Sequence, residues 1–318
     1  MHKPVLVTGG AGFIGSHLVE RLLAAGDPVW VVDDFSTGSR ENLAAVAGHP
    51  GLRVIESTVS GLVGLPALVA ECGFVFHLAA AVGVELVVRS PIRTIETNLR
   101  ETEAVLSAAA PSGVPVLLAS TSEVYGKSGK QAFSEEDDLL IGPPTLGRWS
   151  YACSKLMDEF LALAYMRERN LPVTIVRLFN TVGPRQTGRY GMVLPRFIAA
   201  ARAGQPLRVY GDGGQTRCFC HVADVVEALT RLRVCPTARG EVVNIGQDQP
   251  ITILELAREV IRKTQSVSTV ELVPYDVAYE AGFEDMRNRR PAVAKLERLI
   301  GFRPRRTLDE IVTEMVGP

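Results

Sequence analysis

The chain has 318 residues, enough to bury a sizeable core in one large α/β domain or in such a domain carrying a smaller lobe. Its 47% hydrophobic content is that of an ordinary globular protein, and 34 basic against 35 acidic side chains leave a formal net charge of −1. That balance excludes an electrostatic case for nucleic acid or an anionic membrane as partner, so any phosphate must be met by local groups. The first residues, MHKPVLVTGG, read as a strand without a charged-then-apolar leader. No apolar run approaches the roughly 20 residues of a membrane span, so the cytoplasm is the expected location. Cys72, Cys153, Cys218, Cys220 and Cys235 are odd in number and lack paired metal-ligand spacing. They read as thiols in a reducing compartment, with no metal site expected.

In chain order, apolar β-rich runs alternate with segments of helical period. PVLVTG is followed by a helix from Gly12 to Ala25, then PVWVVD, a loop, LRVIES, a helix near Leu62 to Ala70, and FVFHLA. A helix from Pro91 to Ala110, a strand from Val116 to Ser120, a helix from Tyr151 to Arg169 and a strand from Val173 to Leu178 extend the pattern. This punctuation predicts an α/β fold, a Rossmann-type doubly wound parallel sheet. After Asn180 the pattern loosens. A loop (GPRQTGRYG), a helix from Leu194 to Ala203, the strand LRVYG, a helix near Ala223 to Arg233, the strand EVVNIG, the helix ILELAREVIRKT and the strand VELVPY predict a smaller C-terminal lobe. The expected division is residues 1–180 for the nucleotide-binding part with the catalytic residues and 181–318 mainly for the substrate lobe, with the chain free to cross between them.

Between the first strand and first helix stands Thr8-Gly9-Gly10-Ala11-Gly12-Phe13-Ile14-Gly15. Glycine at 9, 12 and 15 allows a tight turn, close approach of backbone N–H groups to a diphosphate, and close packing of helix on strand. Asp33, at the end of the second strand, would accept hydrogen bonds from an adenosine ribose, and its charge would repel a 2′-phosphate. NAD is therefore the expected cofactor rather than NADP. The loop Asp34-Phe35-Ser36-Thr37-Gly38 is placed beside the ribose and adenine, and Leu78, Ala79 and Ala80, after the strand ending at His77, are placed against the cofactor.

Tyr151 and Lys155 lie one turn apart on a predicted helix and share a face. An ammonium beside a phenol favours the phenolate, and bound nicotinamide adds positive charge; together these can draw the pKa down from about 10 towards neutrality and make Tyr151 a usable general base. The segment Ser120-Thr121-Ser122-Glu123-Val124-Tyr125-Gly126 ends a strand where its polar groups would face the cofactor.

TGGAGFIGSH, HLAA, STSEVYG, YACSK, RLFN and GDGGQTR followed by HVAD, taken together over nearly the whole chain, resemble the NAD-dependent epimerase/dehydratase family of extended short-chain dehydrogenases. The resemblance implies that Tyr151 removes the sugar 4-OH proton, that Lys155 tunes Tyr151 and holds the nicotinamide ribose, and that Thr121 hydrogen-bonds O4. It further implies that Asn180 and Arg217 engage the diphosphate of a nucleotide sugar, with Val193 in the Met192 to Phe197 stretch near the base and Ser122 at the sugar. Family members pair through two helices per subunit, here 91–110 and 151–169, so a homodimer is expected. One departure is Glu56-Ser57-Thr58-Val59, where the family often carries an aspartate against adenine.

The reaction is less tightly indicated. Dehydratases of the family resemble Thr-Asp-Glu at the catalytic segment, and Ser122 replaces that acid here. Thr121-Ser122-Glu123 instead resembles UDP-glucuronate decarboxylases, as do Gly142-Pro143, Arg148-Trp149-x-Tyr151 and Gly282-Phe283-Glu284-Asp285 with Arg289-Arg290-Pro291. The loop DDFSTGSRENL looks like that of 4-epimerases, and Ala80 to Val84 lacks the proline-rich sugar-side loop common in the decarboxylases. C4 epimerisation of a UDP sugar is thus the first expectation, with UDP-glucuronate decarboxylation the alternative. On the first, Glu123 is not demanded by the chemistry and Arg289 meets diphosphate; on the second, Glu123 orients the carboxylate or an attendant water and Arg289 assists charge or proton handling after carbon dioxide leaves. A catalytically silent NAD-binding sensor is the alternative of another class, disfavoured by the intact Thr121, Tyr151 and Lys155.

Overall fold

A computed structural model describes residues 2–81, 90–188, 192–278 and 286–317. Short apolar runs become strands buried on both faces, as a parallel sheet covered by helices requires. β1 (Val5–Thr8), β2 (Val29–Asp33), β3 (Leu52–Glu56), β4 (Phe74–His77), β5 (Val116–Thr121) and β6 (Val173–Leu178) join in the order β6-β5-β4-β1-β2-β3, all parallel. The order reverses between β1 and β4. At that switch point the loops after the two strands diverge and leave a crevice beyond their carboxyl ends.

Helix α1 (Phe13–Ala24) covers one face through Leu18, Val19 and Leu22, which pack with Val5, Val7 and Val31. Helices α2 (Leu65–Glu71), α3 (Pro91–Ala109) and α4 (Trp149–Arg169) cover the other, where Val105, Leu106 and Ala162 meet Leu6, Val75 and Leu118. Each such fully buried aliphatic side chain contributes about 1.5–3 kcal/mol. A separate core lies in the C-terminal lobe, among the helices Val193–Arg202, Ile253–Thr264 and Leu308–Val316 and the strand Leu207–Tyr210. The helix at 253 starts where Thr252 and Glu255 form a capping box that satisfies backbone N–H groups at both positions.

The run EVVNIG, expected in the lobe, belongs instead to the main sheet. Val242–Ile245 pairs parallel with Ile175–Leu178 and makes the seventh strand. The helix Val222–Arg233 likewise returns to pack Val225, Val226 and Leu229 against the α1 face. An apolar strand has the same local pattern in either place. What decides it is the open edge of β6, whose backbone groups need partners.

Candidate active site

A cavity of about 900 Å³ opens at the switch point and runs from the glycine turn, past the end of β5, into the C-terminal lobe. Gly9, Gly12, Phe13, Ile14 and Gly15 line its first end with Asp33, Asp34, Ser36, Leu78, Ala79 and Ala80. Gly9 has φ +70°, and a Cβ there would stand 2.8 Å from the Ala79 nitrogen; one on Gly15 would stand 2.1 Å from the Gly9 carbonyl oxygen. Only glycine permits this turn. Helix α1 begins at it with no side-chain cap and no acidic residue in its first turn, so its leading N–H groups are available to an anion. This cradle fits the diphosphate of NAD.

Asp33 is buried, and its two oxygens accept from the Ala11 and Phe35 N–H groups, each at 2.8 Å. Burial pushes its carboxyl up, against those two hydrogen bonds. Each oxygen keeps a second lone pair for a ribose hydroxyl. Phe35 and Gly38 of the expected set do not themselves line the cavity. Phe35 has φ 56°, packs against the α1 core and lies under the Arg40 guanidinium at 4.4 Å, so it acts through its N–H on Asp33. Gly38 sits against the Ala11 backbone, where a Cβ would come within 2.9 Å. Ser57, Thr58 and Val59, where the aspartate of relatives is missing, line the cavity.

The middle of the cavity is built by β5, the 3-10 turn Ser122–Tyr125 and the start of α4. Thr121 caps the turn by accepting from the Glu123 N–H at 3.2 Å, and its side chain favours the ionised form of the Tyr151 phenol. Ser122 is buried at the cavity wall, with no hydrogen-bond partner for its hydroxyl among the described residues. Lys155 is buried on the same helix, and its ammonium donates to Asp158 at 2.7 Å. The Tyr151 phenol is pushed up by burial first and by the Glu123 charge second, while the Lys155 ammonium pairs with Asp158. The lowering expected for a general base draws on the positive charge of bound nicotinamide as well.

Glu123 lies among three arginines. Arg289 donates to Oε1, Arg148 donates to Oε2 at 3.3 Å, and Arg217 adds its field. Burial opposes the charge, but the arginines outweigh it and hold the carboxyl down at about 2. Glu123 is therefore an ionised group at any working pH and cannot serve as a proton donor. The other Arg289 nitrogen, Nη1, donates to the Asn180 carbonyl oxygen at 3.3 Å, and the Asn180 amide donates to the Cys218 carbonyl at 3.1 Å. Arg217 is buried, with Nη1 donating to the Thr216 and Met286 carbonyls. Val193 opens its helix at the cavity wall.

The structure thus gathers Thr121, Ser122, Glu123, Tyr151, Lys155, Asn180, Val193, Arg217 and Arg289 around one space. Sequence reasoning missed Arg148, although it stands in the quoted Arg148-Trp149-x-Tyr151 run, and Asp158, which follows Lys155 by less than a turn. It also missed Arg196, Arg208, Tyr210 and Tyr275, which line the lobe end, and Arg185, which lines the cavity while bonding Ser16 and Glu20 of α1. Strand alternation puts Arg208 and Tyr210 on one face, but nothing local says that the face looks into a cavity. The quoted Val82 to Val84 and Gly282 to Asp285 lie outside the described residues. All five cysteines carry free thiols, no cluster of metal-ligating groups occurs among the described residues, and no described helix is long and apolar enough to cross a membrane.

The model of the NAD-dependent epimerase/dehydratase family matches residues 5–246. A UDP-N-acetyl-alpha-D-glucosaminuronate decarboxylase of Bacillus cytotoxicus is 43% identical over 99% of this chain and 97% of its own. UDP-glucuronic acid decarboxylase 2 of Arabidopsis thaliana is 37% identical over 98% of this chain and 67% of its own. Among solved structures, the UDP-glucose 4-epimerase of Thermus thermophilus in complex with NAD superposes with a TM-score of 0.85 at 29% identity, covering 98% of this chain and 97% of that one.

Proposed function

Since the chain belongs to the NAD-dependent epimerase/dehydratase family, enzymes of the extended short-chain dehydrogenase class with NAD as cofactor, we propose that it decarboxylates a UDP-linked hexuronate. The observation that carries this reading is the ionised Glu123 held between Arg148 and Arg289 beside Tyr151. An epimerase needs only reversible oxidation at C4 and a sugar able to turn, and makes no demand for such a cluster. The names of the relatives point the same way, to decarboxylation rather than to the C4 epimerisation that the sequence motifs put first. UDP-N-acetylglucosaminuronate is the first substrate to test and UDP-glucuronate the second.

NAD, when bound in the cradle of Gly9 to Gly15 and Asp33, supplies the acceptor and later the donor of the C4 hydride. Tyr151 takes the O4 proton and Thr121 keeps its phenol aligned with O4. Ser122 offers its unpartnered hydroxyl to the sugar. A ketone at C4 lets the bond between C5 and the carboxylate break, leaving its electron pair on the C5–C4–O4 unit as neutral carbon dioxide departs. C5 then takes a proton from water, and reduction at C4 with return of the Tyr151 proton to O4 completes the product. Arg289 and Arg148 offset the substrate carboxylate against Glu123 before that step, and Arg289 meets the charge that moves onto the sugar after it. Arg217 and Asn180 lie toward the diphosphate.

C4 epimerisation is the second reading, favoured by the DDFSTG loop and the epimerase neighbour. The gathered Thr121, Tyr151 and Lys155 argue against a silent sensor. A homodimer is also part of the proposal, supported by Ile92 and Ile95 on α3 and Met157 and Phe160 on α4, exposed apolar side chains on two adjacent helices. So is a cytoplasmic location, in keeping with the free thiols. The test is incubation of purified protein with UDP-N-acetylglucosaminuronate, UDP-glucuronate, UDP-glucose and UDP-N-acetylglucosamine, with products identified by mass and NMR. Carbon dioxide from either uronate is the expected result; inversion at C4 with mass unchanged would overturn it.

A further inference from the structure

Lys155 and Asp158 form a buried ion pair, the lysine side chain 2% and the aspartate 0% exposed. Asp158 Oδ2 accepts from Nζ at 2.7 Å, while Oδ1 is buried without a hydrogen-bond partner among the described residues. Lys155 therefore supplies most of the compensation for burying this carboxylate. Burial pushes the Asp158 carboxyl up, with Lys155 and then Thr102 on α3 opposing it, and Thr102 Oγ1 stands 3.2 Å from Nε2 of His77. His77 Nδ1 stands 2.8 Å from Oγ1 of Thr8, which accepts from the Ala79 N–H at 3.3 Å. A buried polar chain thus runs from the end of β1, beside the glycine turn, to the ion pair on α4.

An ammonium committed to a carboxylate exerts a weaker pull on a neighbouring phenol than an unpaired one. We propose that Asp158 is a positioning residue for Tyr151: by pairing with Lys155 it fixes where the ammonium sits and withholds part of its charge from the phenol. Thr121 from the end of β5, Glu123 from the turn after it, Asp158 from α4 and Arg289 all act on the phenol. Two of them, Glu123 and Asp158, push it up, while Thr121 and Arg289 pull it down. The groups around the ion pair add no compensating charge. Burial holds the His77 imidazole down at about 3, so it is neutral, and Glu159 beside Asp158 is paired with Arg177 at 2.8 Å. Asp158 itself does not line the cavity, so its charge can be removed without replacing a cavity-lining side chain.

The proposal rests on Tyr151 being the proton-moving group of the reaction given above, but its test does not depend on the sugar. Holoenzyme isotope-labelled at tyrosine Cζ is titrated by NMR, with Tyr151 assigned by the signal missing from Tyr151→Phe. In Asp158→Asn the Tyr151 midpoint should fall by about one pH unit, and the acid limb of the pH–rate profile with the accepted UDP sugar should fall with it. Asp158→Ala removes the same charge and should move the midpoint in the same direction. A folded variant, verified by its thermal melting, whose phenol titrates where the wild type does would overturn the proposal. A lowered midpoint in an enzyme that releases no carbon dioxide from either uronate would support the role of Asp158 and remove only the decarboxylase reading.

Discussion

Arg289 and Glu123, 166 residues apart in sequence, meet side chain to side chain at the wall of the cavity, one from the C-terminal segment and one from the turn after β5. The contact ties the C-terminal segment to the turn at the end of the main sheet. It also separates the two leading reactions. Replacing either residue by alanine should slow product release from a uronate at least about tenfold while leaving C4 oxidation, read as single-turnover absorbance of the reduced nicotinamide, within about threefold of wild type. Loss of substrate binding alone, with both steps slowed equally at low substrate and restored at saturation, would favour epimerisation.

The same pair has a pH signature. The Glu123 carboxyl is held at about 2, below its ordinary value of 4.5, by the surrounding arginines against the cost of burial. A depressed carboxyl contributes stability that is present above its unfolded pKa and lost as pH falls through the folded one. Thermal melting of wild type should therefore lose stability between about pH 5 and pH 2 by a margin that Glu123→Gln lacks. Parallel melting curves for the two proteins over that range would contradict the assignment.

Tyr151→Phe keeps the ring and removes the proton-moving group. Turnover should fall at least about a hundredfold, the lower end of acid–base contributions. NAD released by denaturation should be unchanged in amount, because the cradle lies at Gly9 to Gly15 and Asp33. Turnover near the wild-type level would show that another group carries the proton.

Arg177 and Glu159 form a buried pair with hydrogen bonds at 2.8, 3.1 and 3.3 Å, and the guanidinium lies 4.8 Å over the Tyr125 ring. Ser120 donates to the same carboxylate at 2.5 Å, which ties the strand end just before Thr121 to α4. Arg177→Met strands a buried charge and should cost about 3–5 kcal/mol in chemical denaturation. A loss below about 1 kcal/mol would mean that the carboxylate finds a proton or water at little cost.

Ile92 and Phe160 are 73% and 58% exposed on neighbouring helices, more than isolated apolar residues on a monomer surface require. Light scattering should give twice the chain mass. Phe160→Asp should shift the protein to monomer at low micromolar concentration without altering its circular dichroism. A concentration-independent wild-type monomer would contradict the dimer.

Much of this was local and therefore legible. The glycine turn, Asp33 at a strand end, and Tyr151 with Lys155 one helical turn apart depend on backbone conformation and short spacing, which neighbouring residues dictate. The six strands from Val5 to Leu178 and their intervening helices could be read from periodicity for the same reason. Tertiary structure alone decided the rest. It placed Val242–Ile245 beside β6 rather than in the lobe, because an apolar strand pairs wherever an edge is open. It turned Phe35 toward the core, because a positive φ reverses the side chain's direction. It gave Glu123 to Arg148 and Arg289, because the partner of a buried charge is whichever opposite charge the packing brings within reach, and no spacing in the sequence encodes a separation of 166 residues.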